Sequence, residues 1–573
     1  MSITTTIASM IATLTTTATA TTAILITVVT LAIWASYSFS CKADCSDDGP
    51  REPPVAQSRV PIVGHMINLL LHHNAYFSIL RATQPRPITT LKIFSQRIYV
   101  ISSPALAQAA FRASRTVDFE VVKQQASCRA VNFDRRTTEI VQAAPGSGSG
   151  SGSGSGEGED PERGRGQSSS SSSSNSCYMQ ELHNEMYGAL MGPSLLETNA
   201  RLLNCLAQTL NGLGTAWEDR KLFSWLRTFY VTASAEALYG KENPIAWDEK
   251  LEPLIWDFEK DLGLLVLDFF PTVTARRGHA ARVAMADPFE KYYRAGLSQN
   301  ASGLVQGRER CARKWGIGTR AIAQAEITIL FAAVTNTVPN VYFMLCYLFS
   351  NVELLAALRA EVGGIVRTED GGGGGGEGGG RRRVVLSIGR LREKCPLLAG
   401  CFQETLRLVK TGASIRTVLA DTVLAADSSS PGYLLKKGGI VQIPTGVLQS
   451  DPATWGPDAQ DFNPYRWIEA AGAKKEARKA QAQAYLPFGG GKNLCPGRQL
   501  AFHEMAAFAA MVVWGFEIRG ADGDLVREQR GGICSMGNGS ASPMGDLDVK
   551  IRRRKEFEGC VFGFDVGGVK DGS

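Results

Sequence analysis

No charged side chain occurs before Lys42, so no basic leader precedes the apolar stretch from Thr22 to Phe39, TAILITVVTLAIWASYSF. A cleaved signal peptide wants such a leader. Without it the stretch reads as a retained anchor, long and apolar enough to cross a bilayer once, with a cleaved signal as the alternative. Lys42, Arg51 and Arg59 follow the span and none precedes it, which by the positive-inside rule puts the main body in the cytoplasm. Paired cysteine spacing is also lacking. The twelve cysteines are scattered, which excludes a disulfide scaffold and suits a reducing compartment where most thiols belong to the core. Charge is thin as well: a net +6 on 573 residues, 20% of them charged, is too dilute to imply a nucleic-acid partner. No segment carries the glycine spacing of a dinucleotide- or flavin-binding turn. The 44% hydrophobic content is that of an ordinary globular core.

What is present centres on Phe488–Gly497, FGGGKNLCPG, which runs into the helical pattern RQLAFHEMAAFAAMVVWGF. Gly489, Gly490 and Gly491 let the backbone reach positive φ and approach a bulky ligand with no Cβ in the way. Pro496 suits a first helical position, so Cys495 is expected at or near the N-cap, where unpaired N–H groups and the helix dipole favour a thiolate. No second Cys or His stands nearby at metal-ligand spacing. One thiolate on a glycine loop suits a single axial bond to haem iron better than a zinc site; a buried structural cysteine is the bland alternative.

This stretch resembles the cysteine loop of the cytochrome P-450 family, Phe-x-x-Gly-x-(Arg/His)-x-Cys-x-Gly, at Phe488, Gly491, Cys495 and Gly497. Asn493 replaces the basic residue that faces a haem propionate in the family, offering a hydrogen bond without charge, and Lys492 is placed to compensate. Three further motifs follow the family's order. AAVTNTVPN resembles its oxygen-binding helix, (Ala/Gly)-Gly-x-(Asp/Glu)-Thr, with Thr337 retained, Asn336 in place of the acid and Val334 in place of glycine. Asn-Thr-x-Pro looks like the sterol 7α- and 12α-hydroxylase branch, which includes the prostacyclin synthase type. Pro339 removes an N–H and frees the carbonyl of Thr335, which opens the expected helix Thr319–Phe349. Glu404 and Arg407 lie three apart on one helical face; alone they read as a solvated pair, but they match the family's Glu-x-x-Arg, and Arg466 in FNPYRW matches the third member of a buried triad. Arg416, in the strand-like SIRTV, corresponds to an arginine that pairs with a propionate, an ordinary surface arginine being the alternative. The family's tryptophan-x-x-x-arginine clamp is not evident near Met179 to Met191, where His183 stands.

The remaining pattern fills in a mainly α fold with small β-sheets, the cytochrome P-450 fold that the resemblance implies. The expected order is an anchor at 1–41, a proline-rich linker at 42–60 and one catalytic domain at 61–573. Ile88–Ile101 alternates with β-branched residues and reads as a hairpin, Pro104–Ala113 as a helix, and Met179–Phe270 as several core helices. Two insertions, at 146–176 and 363–383, are too rich in glycine, serine and charge to pack and are expected to be disordered. Lys474, Lys475, Arg478 and Lys479 form a basic run that reads either as a reductase-docking face or as a solvated helix.

The function implied is a membrane-anchored monooxygenase of the endoplasmic reticulum. It would bind haem b on Cys495 and insert one oxygen atom from O2 into an apolar substrate such as a sterol or other lipid-like compound. Phe488, Gly491, Asn493 and Arg416 would line the haem, and Thr337 with Asn336 would steer protons. Electrons would come from NADPH through a separate reductase. An isomerase or dehydratase acting on a peroxide, and a non-catalytic haem-binding protein, are the other readings.

Overall fold

Alternation in Ile88–Ile101 closes into the expected hairpin: Ile88–Ile93 pairs antiparallel with Gln96–Ile101, Ile88 opposite Ile101, and Phe94 takes the left-handed turn at φ 53°. The computed structural model describes residues 50–58, 64–144, 177–371, 380–469, 475–532 and 539–567. The expected anchor, part of the proline linker, the insertion at 146–176 and Lys474 lie outside the described residues.

The chain forms two compact units, the first made of the described residues of Met1–Asp118 together with Ile415–Ile443, the second of Phe119–Ser414 and Pro444–Ser573. In the first, Ile440–Pro444 joins Gln96–Ile101 in parallel, Ile440 opposite Ile98. Ile88, Tyr99 and Ile101 share one face of the hairpin and Leu91 stands on the other; all four are fully buried, so this part of the sheet is covered on both sides. The helix Pro104–Arg112 follows, its proline at the first turn and Ser103 capping it by accepting from the Leu106 N–H at 3.5 Å.

The second unit is helical. Tyr178–Ala189, Gly192–Asn211, Leu222–Tyr239 and Leu251–Leu267 supply the expected core helices. At the centre lies Thr337–Phe349, every residue of which is buried, and Arg498–Gly515, buried almost throughout from Phe502 onward. Helices apolar all round are core helices, and each large side chain so buried contributes about 1.5–3 kcal/mol. The segment Thr319–Phe349 is long and apolar enough to cross a membrane, yet 72% of its most apolar window is buried inside the protein, the mark of a core helix. It is two helices rather than one, Thr319–Val334 and Thr337–Phe349, with a turn at Thr335 and Asn336. Pro339 has no N–H for the Thr335 carbonyl, and the break falls there.

The expected disorder at 363–383 is corrected at both ends. Val366–Gly371 pairs antiparallel with Gly380–Ser387, which pairs in parallel with Val561–Asp565. Val384 and Leu386 are fully buried. The β-branched flanks gain a partner from the far end of the chain, a long-range pairing that local composition does not reveal; residues 372–379 lie outside the described residues.

Candidate active site

The cysteine loop reverses at Gly489 and Gly491, where φ is +74° and +69°, values that strain any residue with a Cβ. The Gly489 N–H donates to the Leu486 carbonyl at 3.1 Å and the Cys495 N–H to the Phe488 carbonyl at 3.0 Å, closing the loop. The Phe488 ring packs against the core. Asn493 ends a single 3-10 turn, Gly491–Asn493, half-buried beside the exposed Lys492. Helix Arg498–Gly515 has Gly497 as its N-cap. Cys495 therefore stands two residues before the cap instead of at it, because Pro496 and Gly497 form a turn and leave the first helical position to Arg498. The Gly497 N–H still bonds the sulfur, and it, Lys410 and Arg498 pull the thiol pKa down, but burial is the larger effect and pushes it above the usual range.

One contact here is invisible in the motif. Tyr187 donates its hydroxyl to the Leu494 carbonyl, the peptide group joined to Cys495, and its ring lies 4.4 Å from that of His183. The aromatic pair, four residues apart on one helix, occupies the stretch in which the tryptophan-x-x-x-arginine clamp was not evident; its spacing was the only available signal. Burial lowers the His183 pKa, and Lys123 adds to that.

At the helix break Thr337 is buried, 7% exposed, and so is Lys410, 7% exposed. The Lys410 ammonium donates to Asn336 Oδ1 at 2.8 Å, and the Ser540 hydroxyl lies 3.4 Å from the same oxygen. Sequence reasoning missed both partners, since Lys410 follows the Glu-x-x-Arg helix and Ser540 lies near the C-terminal end. The side of Thr319–Val334 leading to the break carries Thr328, Ile329, Ala332 and Ala333, which are half-buried or, for Ala332, exposed on a helix otherwise largely enclosed.

Glu404 is fully enclosed. Arg407 Nε and Nη2 each reach one of its oxygens at 2.8 Å, and Arg466 Nε reaches Oε1 at 2.9 Å. Trp467 Nε1 adds a bond at 2.9 Å and the Asn463 N–H one at 3.1 Å, so the carboxylate has no lone pair facing apolar surroundings. Arg407 also binds the carbonyls of Gln449 at 2.7 Å and Ala459 at 2.6 Å, tying the Glu-x-x-Arg helix to the segment that leads to the cysteine loop. Arg416 belongs to the first unit. It is 5% exposed, 5.1 Å above the Phe111 ring, with its pKa lowered to about 10 by burial, so the surface alternative is excluded.

These residues fit a porphyrin iron. Among the described residues no three His, Cys, Asp or Glu side chains gather to hold a bare metal ion, whereas Cys495 offers one soft donor suited to an iron whose other ligands a macrocycle supplies. A Cβ built on Gly497 would lie 3.9 Å from the sulfur, an ordinary contact distance, so Gly497 borders the thiol directly. Seven of the nine described cysteines are buried; Cys495 is one of the two that are not fully enclosed.

The family model of cytochrome P450 matches residues 305–535. A cytochrome P450 monooxygenase, nodJ, of Hypoxylon pulicicidum is 29% identical over 532 residues, spanning 90% of this chain and 93% of its own. A cytochrome P450 monooxygenase of Gibberella zeae is 25% identical over 531 residues, 91% and 92% of the two chains. The 5-beta-cholestane-3-alpha,7-alpha-diol 12-alpha-hydroxylase of Sus scrofa is 25% identical over 380 residues, 62% of this chain and 72% of its own. Among solved structures, a retinoic acid bound cyanobacterial CYP120A1 superposes with a TM-score of 0.61 at 17% identity, over 88% of this chain and 100% of that one, a likeness of fold. The cysteine loop, the buried glutamate-arginine pair and these relatives agree: residues 305–535 match the cytochrome P450 family model and the chain is similar over nine-tenths of its length to cytochrome P450 monooxygenases, a family and fold that imply a cysteine-ligated haem iron.

Proposed function

We propose that the protein inserts one oxygen atom of O2 into an apolar, lipid-like or sterol-like substrate, drawing electrons from NADPH through a separate reductase. The observation that carries this reading is Thr337, a hydroxyl retained and buried at the break between two core helices, in the sequence that resembles the family's oxygen-binding helix. Cys495 is the proposed axial ligand, with Phe488 and Gly491 shaping the loop around it and Asn493 and Arg416 as the proposed propionate contacts. When bound, the haem supplies the activation of O2. Thr337 Oγ1 would hold and relay a proton on that side of the haem. Asn336 cannot release a proton as an acid does, and its oxygen is held by Lys410, so its part is to orient. The sterol likeness rests on Asn336-Thr337 with Pro339 and on the hydroxylase relative.

The replacement of an acid by Asn336 supports a second reading, an isomerase or dehydratase that uses the same iron on a peroxide and needs neither O2 nor reductase. Purified reductase separates the two. Substrate-dependent NADPH consumption with an oxygenated product supports the monooxygenase, and turnover of a hydroperoxide without NADPH supports the other. The apolar Thr22–Phe39 stretch and the basic residues after it support an endoplasmic-reticulum anchor with the catalytic domain in the cytoplasm.

A further inference from the structure

Lys410 follows directly on the Glu-x-x-Arg helix Pro396–Val409, and its ammonium is taken out of water with only 7% of the residue exposed. Burying an ammonium is costly unless its donors are met. Asn336 Oδ1 meets one at 2.8 Å. Because an ammonium can only donate, the amide must turn its oxygen toward Lys410 and present its NH2 elsewhere. Asn336 is neutral, so this bond satisfies a donor without cancelling its charge.

The rest of the surroundings fix the same geometry. The Ala541 N–H donates to the Val409 carbonyl at 2.8 Å and the Gly412 N–H to the Gly539 carbonyl at 3.2 Å, laying Gly539–Ala541 alongside the chain around Lys410. That brings fully buried Ser540 within 3.5 Å of the Asn336 carbonyl and 3.4 Å of Oδ1. A Cβ at Gly539 would stand 3.1 Å from Asn336 Oδ1 and 3.6 Å from Lys410 Nζ, so this backbone packs closely against the pair. Asn336 itself belongs to neither helix, and three distant segments converge on its side chain.

We propose that Lys410 is a positioning residue for this reaction: through its bond to Asn336 it fixes the break between Thr319–Val334 and Thr337–Phe349, orients the amide next to Thr337, and holds a positive charge on that side of the site. The proposal deepens the monooxygenase reading and rests on it.

The test uses the full chain with Lys410→Met, which keeps length and removes charge and donors, and Lys410→Arg, which restores both. In Lys410→Met, amide exchange across residues 333–341 should accelerate roughly tenfold, as expected for a lost charged hydrogen bond, and the haem reduction potential should shift to more negative values. Lys410→Arg should return both toward the parent. Parent-like exchange and potential in Lys410→Met overturn the proposal. Should Lys410→Met fail to fold, Asn336→Leu and Asn336→Asp replace it: the first should speed exchange at the break, the second slow it, and no change in either is equally fatal. The carbon-monoxide spectrum of the parent protein keeps the two ideas apart, because a missing thiolate band defeats the haem-thiolate reading while exchange at the break is measured without haem.

Discussion

Arg407 grips both carboxylate oxygens of Glu404, Nε and Nη2 at 2.8 Å each, with neither side chain exposed. Two facing forks take the pair out of water at low cost only because Arg466, Trp467 and Asn463 complete the glutamate's shell. Glu404→Gln should therefore cost about 3–5 kcal/mol, read as a large drop in denaturation midpoint with loss of haem retention. A midpoint within a degree of the parent would show that the pair is not holding the loop.

Cys495→Ser should abolish the long-wavelength Soret band of the reduced carbon-monoxide complex while leaving the helical content intact. Persistence of that band would assign the axial ligand to another side chain.

Thr337→Ala should leave haem content unchanged and divert electrons from hydroxylated product to peroxide, since the buried hydroxyl beside the break is removed. The ratio of peroxide to product per NADPH checks it. Unaltered coupling would favour the isomerase reading.

Glu504 is buried on helix Arg498–Gly515, with Oε1 unpartnered, and burial pushes its pKa from 4.5 up to about 8. The folded state then holds its proton more tightly than the unfolded chain, so this group's contribution is full below pH 4.5 and is lost progressively as pH rises toward 8. Glu504→Gln should remove that decline and be more stable than the parent at pH 8 and above. Melting temperatures of the two proteins across this window provide the measurement, and parallel curves would mean that Glu504 ionises freely.

Lys475, Arg478 and Lys479 are exposed on the helix Lys475–Ala484, at positions that share one side. Reversing these charges together with that of Lys474 should slow reductase-driven haem reduction and flatten its dependence on ionic strength, with dithionite reduction unaffected. An unchanged salt dependence would leave the run as a solvated helix.

Much of this protein was determined locally. The hairpin Ile88–Ile101 follows from alternation and a two-residue turn, the break at Thr335 from Pro339 removing one N–H, and the cysteine loop from glycines at positions of positive φ. Residue types alone do these things, because the physics acts within a few residues. What the tertiary structure decided are the partners brought from afar. Gln449, Asp461 and Trp467 complete the Glu404–Arg407 pair, Val561–Asp565 turns the flank of a glycine-rich insertion into a sheet, and Tyr187 reaches the Leu494 carbonyl across 307 residues. Asn336 is the plainest case. In the sequence it is an acid's weak substitute; in the fold Lys410 and Ser540 hold it, 74 and 204 residues away, because a buried ammonium must find an oxygen wherever the packed chain supplies one.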